Sequence, residues 1–144
     1  MPLRSRRIVY VIGCSSMGAY IAGAMSKLNF DVYVIDVKED AFRNLPPDYS
    51  GFKQVGDACD TDFLSHQISK SAYLVLVATN SDNVNSFAAQ YIKKIIGVDL
   101  VIARIYNVEK HVLLDNSGIK IIYPSLLTAG KFFDIVKDYN KEGE

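Results

Sequence analysis

The chain has 144 residues, 49% of them hydrophobic, enough for one domain with its own core and too few for two. Sixteen Lys and Arg balance sixteen Asp and Glu with no run of like charges, which excludes the basic footprint of a nucleic-acid binder. Cys14 and Cys59 are too few for a disulfide framework and lack metal-ligand spacing, so a reducing cytoplasm is the expected compartment.

The basic N-terminus, running into Val11-Ile12-Gly13-Cys14, loosely imitates a lipoprotein signal. Its apolar run, Ile8 to Ile12, is five residues long, short of the roughly 7–15 of a signal sequence or the ~20 of a membrane span. It is expected to remain as a strand. From there, short β-branched runs alternate with longer segments of helical period, the pattern of βαβ units. After the strand Ile8–Ile12, Met17, Tyr20, Ile21, Ala24 and Leu28 recur on one face of a helix. A strand over Val32–Ile35 precedes a short helix over Lys38–Leu45, halted by Pro46 and Pro47. Gly51–Val55 reads as a third strand and Thr61–Ile68 as a short helix. Tyr73–Ala78 is nearly continuously apolar, as a strand covered on both faces must be. Val84, Phe87, Ala88, Tyr91, Ile92, Ile95 and Ile96 then form one helical stripe ended by Gly97. A strand over Leu100–Ile105, a short helix over Val108–Asn116, a strand over Ile119–Ile122 and a final helix over about 125–139 complete the chain.

Six strands with crossover helices define an α/β fold: a doubly wound parallel sheet in a single domain over residues 1–144. Right-handed crossovers put the strands in an order near 3-2-1-4-5-6. Ligands of such sheets bind beyond the carboxyl ends of the strands, so the residues just past each strand are the candidates.

The first of these is Gly13-Cys14-Ser15-Ser16-Met17-Gly18, which opens a helix whose free N–H groups and positive dipole end attract an anion. Gly13 permits the turn and Gly18 allows close packing of helix on strand. The middle position, where glycine lets the backbone approach a pyrophosphate, is Ser15. Such a loop retains the means to bind phosphate, with less room for a bridging pyrophosphate. Eighteen residues beyond Gly18 stands Asp36, followed by Val37, where an acid accepts hydrogen bonds from ribose hydroxyls and repels a 2′-phosphate. The alternative role for Asp36 is to cap the following helix.

Val55–Asp60 ("VGDACD") and Val77–Asn85 ("VATNSDNVN") follow the third and fourth strands. With "VIARI" at Val101–Ile105 and "GIKIIYPSLL" at Gly118–Leu127, they give a chain that resembles, over its whole length, the TrkA-N domain of K⁺-conductance regulators. The resemblance implies a cytoplasmic, non-enzymatic regulatory subunit that binds an adenine nucleotide or NAD(H). It also implies assembly as a homodimer or larger ring, at the inner face of the membrane through a potassium transporter subunit. Carried over by position, Gly13, Ser15, Ser16 and Gly18 face phosphate and Asp36 the ribose. Asp57 and Ala58 meet the adenine edge, Thr79 and Asn80 form the far wall, and Arg104 points into the same cleft. Many relatives carry glycine at Ser15, arginine at Ser16 and an acid at Ser125. These departures favour AMP or ADP over ATP or NAD(H). The smaller regulatory domain that often follows in the family is expected to be missing, which makes a second, similar subunit plausible.

Two other readings compete with the sensor: a fragment of an NAD-dependent oxidoreductase and a scaffold without ligand. Hydride transfer needs a general acid or base beside the nicotinamide, and His66 and His111 read as solvated surface residues. Cys14, at a helix N-terminus, reads as a small residue filling a turn before it reads as a redox-sensitive thiol. In the last helix, Leu126, Ala129, Phe133 and Val136 form one apolar stripe, and Phe132, Ile135, Val136 and Tyr139 form a second beside it. One sheet edge can bury one stripe, so the surplus predicts a protein interface.

Overall fold

β-branched and aromatic side chains fill a pleated surface, and the runs rich in them are the strands. The computed structural model, which describes residues 6–143, contains β1 (Arg7–Ile12), β2 (Phe30–Asp36), β3 (Phe52–Val55), β4 (Leu74–Val77), β5 (Val101–Arg104) and β6 (Lys120–Ile122). All pair in parallel in the order β3-β2-β1-β4-β5-β6, as expected. The two halves of the sheet wind away from each other at the β1–β4 boundary, the switch point at which ligand crevices open.

Alternation along the strands builds a core on each face. Val9, Val11, Val32, Val34 and Leu76 pack with Ala19 and Ala22 of α1 (Ser16–Ser26). Tyr10, Ile12, Ile35, Val75 and Val77 pack on the other face. They meet Leu64 of α2 (Thr61–Gln67) and Ala88 and Ala89 of α3 (Asp82–Tyr91). A π-helical turn over Ile92–Ile96 extends α3, and Gly97, at φ 88°, ends it by donating to Ile92 O at 2.9 Å. The segments Glu39–Asn44 and Val108–Leu113 are 3₁₀-helical, shorter and tighter than the helices expected there.

α1 turns a different face to the sheet from the one its apolar spacing implied. Gly18, Ala19, Ala22, Gly23 and Ser26 are buried, whereas Tyr20 is 79% and Leu28 62% exposed. A helix entered directly from the central strand lies close against the sheet, and only small side chains fit between. In α3, likewise, Asn85 and Ser86 are buried while Phe87 and Ile95 of the expected stripe are exposed.

The last helix, α4 (Pro124–Glu142), buries none of its 19 residues. The expectation that one of its stripes would cover the sheet edge is therefore corrected: both lie open, with Leu126, Phe132, Phe133 and Tyr139 all more than half exposed. The edge strand β6 has three residues and offers no surface long enough for a 19-residue helix.

Candidate functional site

Strand register sets the candidate residues at one level. Ile12 pairs with both Ile35 and Val77, and Val77 pairs with Ala103, so Gly13, Asp36, Ala78 and Arg104 all stand at the carboxyl end of the sheet. The loop after β1 is fixed by backbone crowding. Gly13 has φ 101°, and a Cβ there would lie 2.6 Å from Ala78 and Thr79 backbone atoms; a Cβ on Gly18 would lie 2.1 Å from Gly13 O.

Ser15 is the N-cap of α1. Its Oγ accepts from Gly18 N at 3.2 Å and donates to Ala78 O at 2.9 Å, tying the helix start to the end of β4. The N–H groups of Ser16 and Met17, in the first turn, have no acceptor within the helix.

Asp36 closes the turn from the other side, its Oδ2 accepting from Cys14 N and its Oδ1 from Lys38 N, each at 2.8 Å. The carboxylate thus organises its own turn rather than capping the next helix, whose N-cap position is Lys38. Each oxygen keeps a second lone pair for a ligand hydroxyl. Beside it, Asn44 donates through Nδ2 to Cys14 O at 2.9 Å.

These groups border a cleft of about 420 Å³, within the range of small-molecule sites. Of the residues singled out in the sequence, Gly13, Cys14, Ser15, Asp36, Val37, Asp57, Ala58, Thr79 and Asn80 line it. Ser16, Met17 and Gly18 are not among its lining residues. Unforeseen lining comes from Ile12, Ile35, Lys38, Ala41, Asn44, Gly56, Ser81 and Val84. The glycine after β3 could have been found from strand register; Ala41 and Asn44 carry no such signal.

Arg104 is placed differently from expectation. It is 3% exposed and stands behind the cleft wall rather than in the cleft. Nη2 donates to Thr79 O at 2.7 Å and Asn80 Oδ1 at 3.3 Å, and Nη1 to Ser15 Oγ at 3.4 Å. Nε is buried without an acceptor among the described residues.

Asn85, fully buried, holds this wall together. Its Oδ1 accepts from Thr79 N at 2.9 Å and Thr79 Oγ1 at 2.6 Å; its Nδ2 donates to Thr79 O at 3.0 Å and Arg104 O at 2.9 Å.

The Cys14 thiol is 1% exposed, and its pKa is raised from 9.0 to about 11 by burial and then by the Asp36 carboxylate, with Lys53 opposing. A thiol protonated at neutral pH is the small turn-filling residue, not a reactive one. His66 and His111 are surface residues, the former 2.7 Å from Asp62 O and the latter 3.2 Å from Asp115 Oδ2.

A parallel sheet with a glycine-bounded helix N-terminus after β1 and an acid ending β2 defines a domain of the dinucleotide-binding α/β class. The chain belongs to the TrkA-N domain family, whose model matches residues 9–124. The Trk system potassium uptake protein TrkA of Streptomyces coelicolor is 28% identical over 114 residues, 79% of this chain and 51% of that protein. The chain thus spans about half the length of that relative. Solved structures that share the fold include the following three. The RCK domain of GsuK has 18% identity and a TM-score of 0.77, covering 93% of this chain and 29% of that one. The GsuK channel bound to NAD has 20% identity and a TM-score of 0.65, covering 86% and 22%. The Kef C-terminal domain of Shewanella denitrificans in its AMP-bound form has 16% identity and a TM-score of 0.69, covering 88% and 77%. No described helix is long and apolar enough to cross a membrane.

Proposed function

We propose that this domain is a non-enzymatic, cytoplasmic sensor that binds an adenine nucleotide and regulates a membrane potassium transporter through self-association. The observation that carries the reading is Asp36. Its carboxylate is held by two backbone N–H groups in a cleft that is also lined by Ser15, the N-cap of α1. Ribose hydroxyls would take the free lone pairs of Asp36, and the base would lie toward Ala58 and Val84. The phosphates would lie toward Ser15 and the first turn of α1. Gly13 and Gly18, each where a Cβ would strike backbone, keep that turn tight enough for such a ligand.

AMP or ADP is the favoured ligand. The Ser15 hydroxyl engages Gly18 N and Ala78 O, and so occupies space and a donor that a bridging pyrophosphate would use. The AMP and NAD found with the Kef and GsuK proteins make the adenosine half the common denominator.

Self-association would use the open apolar stripes of α4, whose exposure in water is unfavourable. A second copy, presenting the same stripes, would cover them by the symmetric pairing commonest among homo-oligomers. Coupling to a potassium transporter follows the TrkA relationship.

The test is thermal stability of the purified chain against AMP, ADP, ATP, NAD⁺, NADH and NADPH, with Asp36→Ala as control, because a ligand of the folded state raises the midpoint. A shift with AMP or ADP that the variant loses is expected. A shift with NAD⁺ or NADH alone would replace the proposed ligand, and no shift with any would leave a scaffold.

A further inference from the structure

Arg104 has features that nucleotide binding alone does not explain. Its buried guanidinium has no carboxylate partner among the described residues and meets neutral groups: Thr79 O, Asn80 Oδ1, Ser15 Oγ and, at 3.9 Å, Met17 Sδ. Its Nε has no acceptor among the described residues. A buried cation in such a state is costly and calls for an anion. Its place beside Ser15 and Met17, in the first turn of an 11-residue helix, is where an anion would be drawn.

The guanidinium has a second neighbour. Its carbon lies 4.8 Å from the centroid of the Tyr106 ring, a cation–π contact. That half-exposed ring lines the groove under α4 together with Pro124, Ala129, Phe132 and Phe133. Ser125 Oγ also donates to Tyr106 O at 3.5 Å. Tyr106 therefore joins the phosphate end of the cleft to the root of the exposed helix.

We propose that Tyr106 transmits nucleotide occupancy to α4. A phosphate at the first turn of α1 draws the Arg104 guanidinium off the Tyr106 ring, and the released ring repacks in the groove and changes how α4 self-associates. This rests on the nucleotide reading and names the regulation of that site.

The competition favours the anion: a charge-assisted, bidentate bond to phosphate is stronger than a half-exposed cation–π contact. The movement is confined to side chains. The backbone of the β5 exit is fixed by Asp82, whose oxygens accept from Tyr106 N at 2.8 Å and Asn107 N at 2.9 Å, and by Asn85 on Arg104 O. The phosphate meets the guanidinium only in the displaced arrangement, which supplies the differential affinity that coupling requires. Coupling must be reciprocal, so association of α4 alters nucleotide affinity by the same factor.

The chain contains no tryptophan, so Tyr106→Trp places a single fluorescent reporter at the junction. Its emission, and sedimentation of the wild-type chain, are followed against ADP and adenosine while calorimetry measures binding. ADP is expected to shift the emission and change the association constant at least about fivefold, the low end of typical allosteric coupling. Adenosine, which carries no anion, is expected to bind without either effect. Arg104→Gln should keep adenosine binding and lose the ADP-driven change. If that variant does not fold, Tyr106→Leu must bind ADP and show no change in sedimentation. ADP binding with unchanged emission or unchanged association, an equal response to adenosine, or a response surviving in Arg104→Gln or Tyr106→Leu overturns the relay and leaves the nucleotide reading intact. Absence of binding by either ligand overturns both.

Discussion

Gly18→Ala isolates the backbone crowding on which the loop depends. Replacing a helical glycine with alanine ordinarily stabilises a protein by about 0.4–1 kcal/mol, because the unfolded chain loses freedom. Here the added Cβ would lie 2.1 Å from Gly13 O, a contact that forces something to shift, and 3.3 Å from Gly13 C. Gly13 cannot yield: its N–H bonds Ile35 O at 2.8 Å, and it lies against the backbone of Ala78 and Thr79. Helix α1 must therefore retreat, loosening the Ser15 cap and the packing of Ala19 and Ala22.

Overpacking of this kind costs about 1–3 kcal/mol. Set against the gain in the unfolded state, Gly18→Ala is expected to destabilise by about 1 kcal/mol, lowering the midpoint by roughly 2–4 °C for a domain of this size. Gly130→Ala is the matched control: it is also helical, a Cβ there meets nothing within 4 Å, and it is expected to stabilise by about 0.5–1 kcal/mol. Urea unfolding at fixed protein concentration reads both. If Gly18→Ala falls within 0.5 kcal/mol of wild type, the crowding argument is wrong.

Ser15→Gly should cost a few tenths of a kcal/mol in capping and raise affinity for NAD⁺ relative to ADP, measured by calorimetry; an unchanged ratio would show that Ser15 does not set ligand size. Asn85→Ala, which leaves Thr79 N and Arg104 O without a buried partner, should cost about 2–4 kcal/mol in urea unfolding, and a loss under 1 kcal/mol would contradict the network. At pH 7.5 a disulfide reagent should label exposed Cys59 and spare Cys14, so Cys59→Ser leaves no fast-reacting thiol. Because the native Cys14 pKa is raised to about 11, the folded state holds its proton more tightly than the unfolded one. This contribution to stability is complete below about pH 9 and lost as pH rises toward 11, as an alkaline titration of the unfolding midpoint would record. Phe132→Ser with Phe133→Ser should abolish self-association in sedimentation while leaving the core stable, since neither ring is buried.

The strands were legible because β-branched runs allow few other structures, and strand order followed from crossover handedness. Gly13, Gly18 and Asp36 were legible because each meets a local backbone need at a fixed distance from a strand. What sequence could not convey was which surface lies against which. In α1 the large apolar residues looked like the buried face, yet proximity to the sheet selected Gly18, Ala19, Ala22 and Gly23. For α4 the periodicity correctly gave an amphipathic helix but not that the neighbouring strand is too short to cover it. Arg104 could be placed at a strand end from sequence, while its burial behind Thr79 depends on Asn85, a partner 19 residues away whose role only the folded structure makes visible.

Ser15 explains how a loop lacking its central glycine can serve a phosphate ligand on the proposed reading. The hydroxyl takes Gly18 N for the helix cap, so the donors left to a ligand are the first-turn N–H groups of Ser16 and Met17 and the guanidinium of Arg104. That guanidinium is already engaged with Thr79 O, Ser15 and the Tyr106 ring. A phosphate must displace these contacts to gain its own, so apparent affinity falls by the fraction of molecules in which Arg104 is free. The same displacement gives binding a structural consequence outside the cleft. A central glycine would leave the amide and the space open, and the ligand could then bind without disturbing Arg104. On the proposed reading, the serine that disfavours a dinucleotide is the same residue that ties phosphate binding to Arg104.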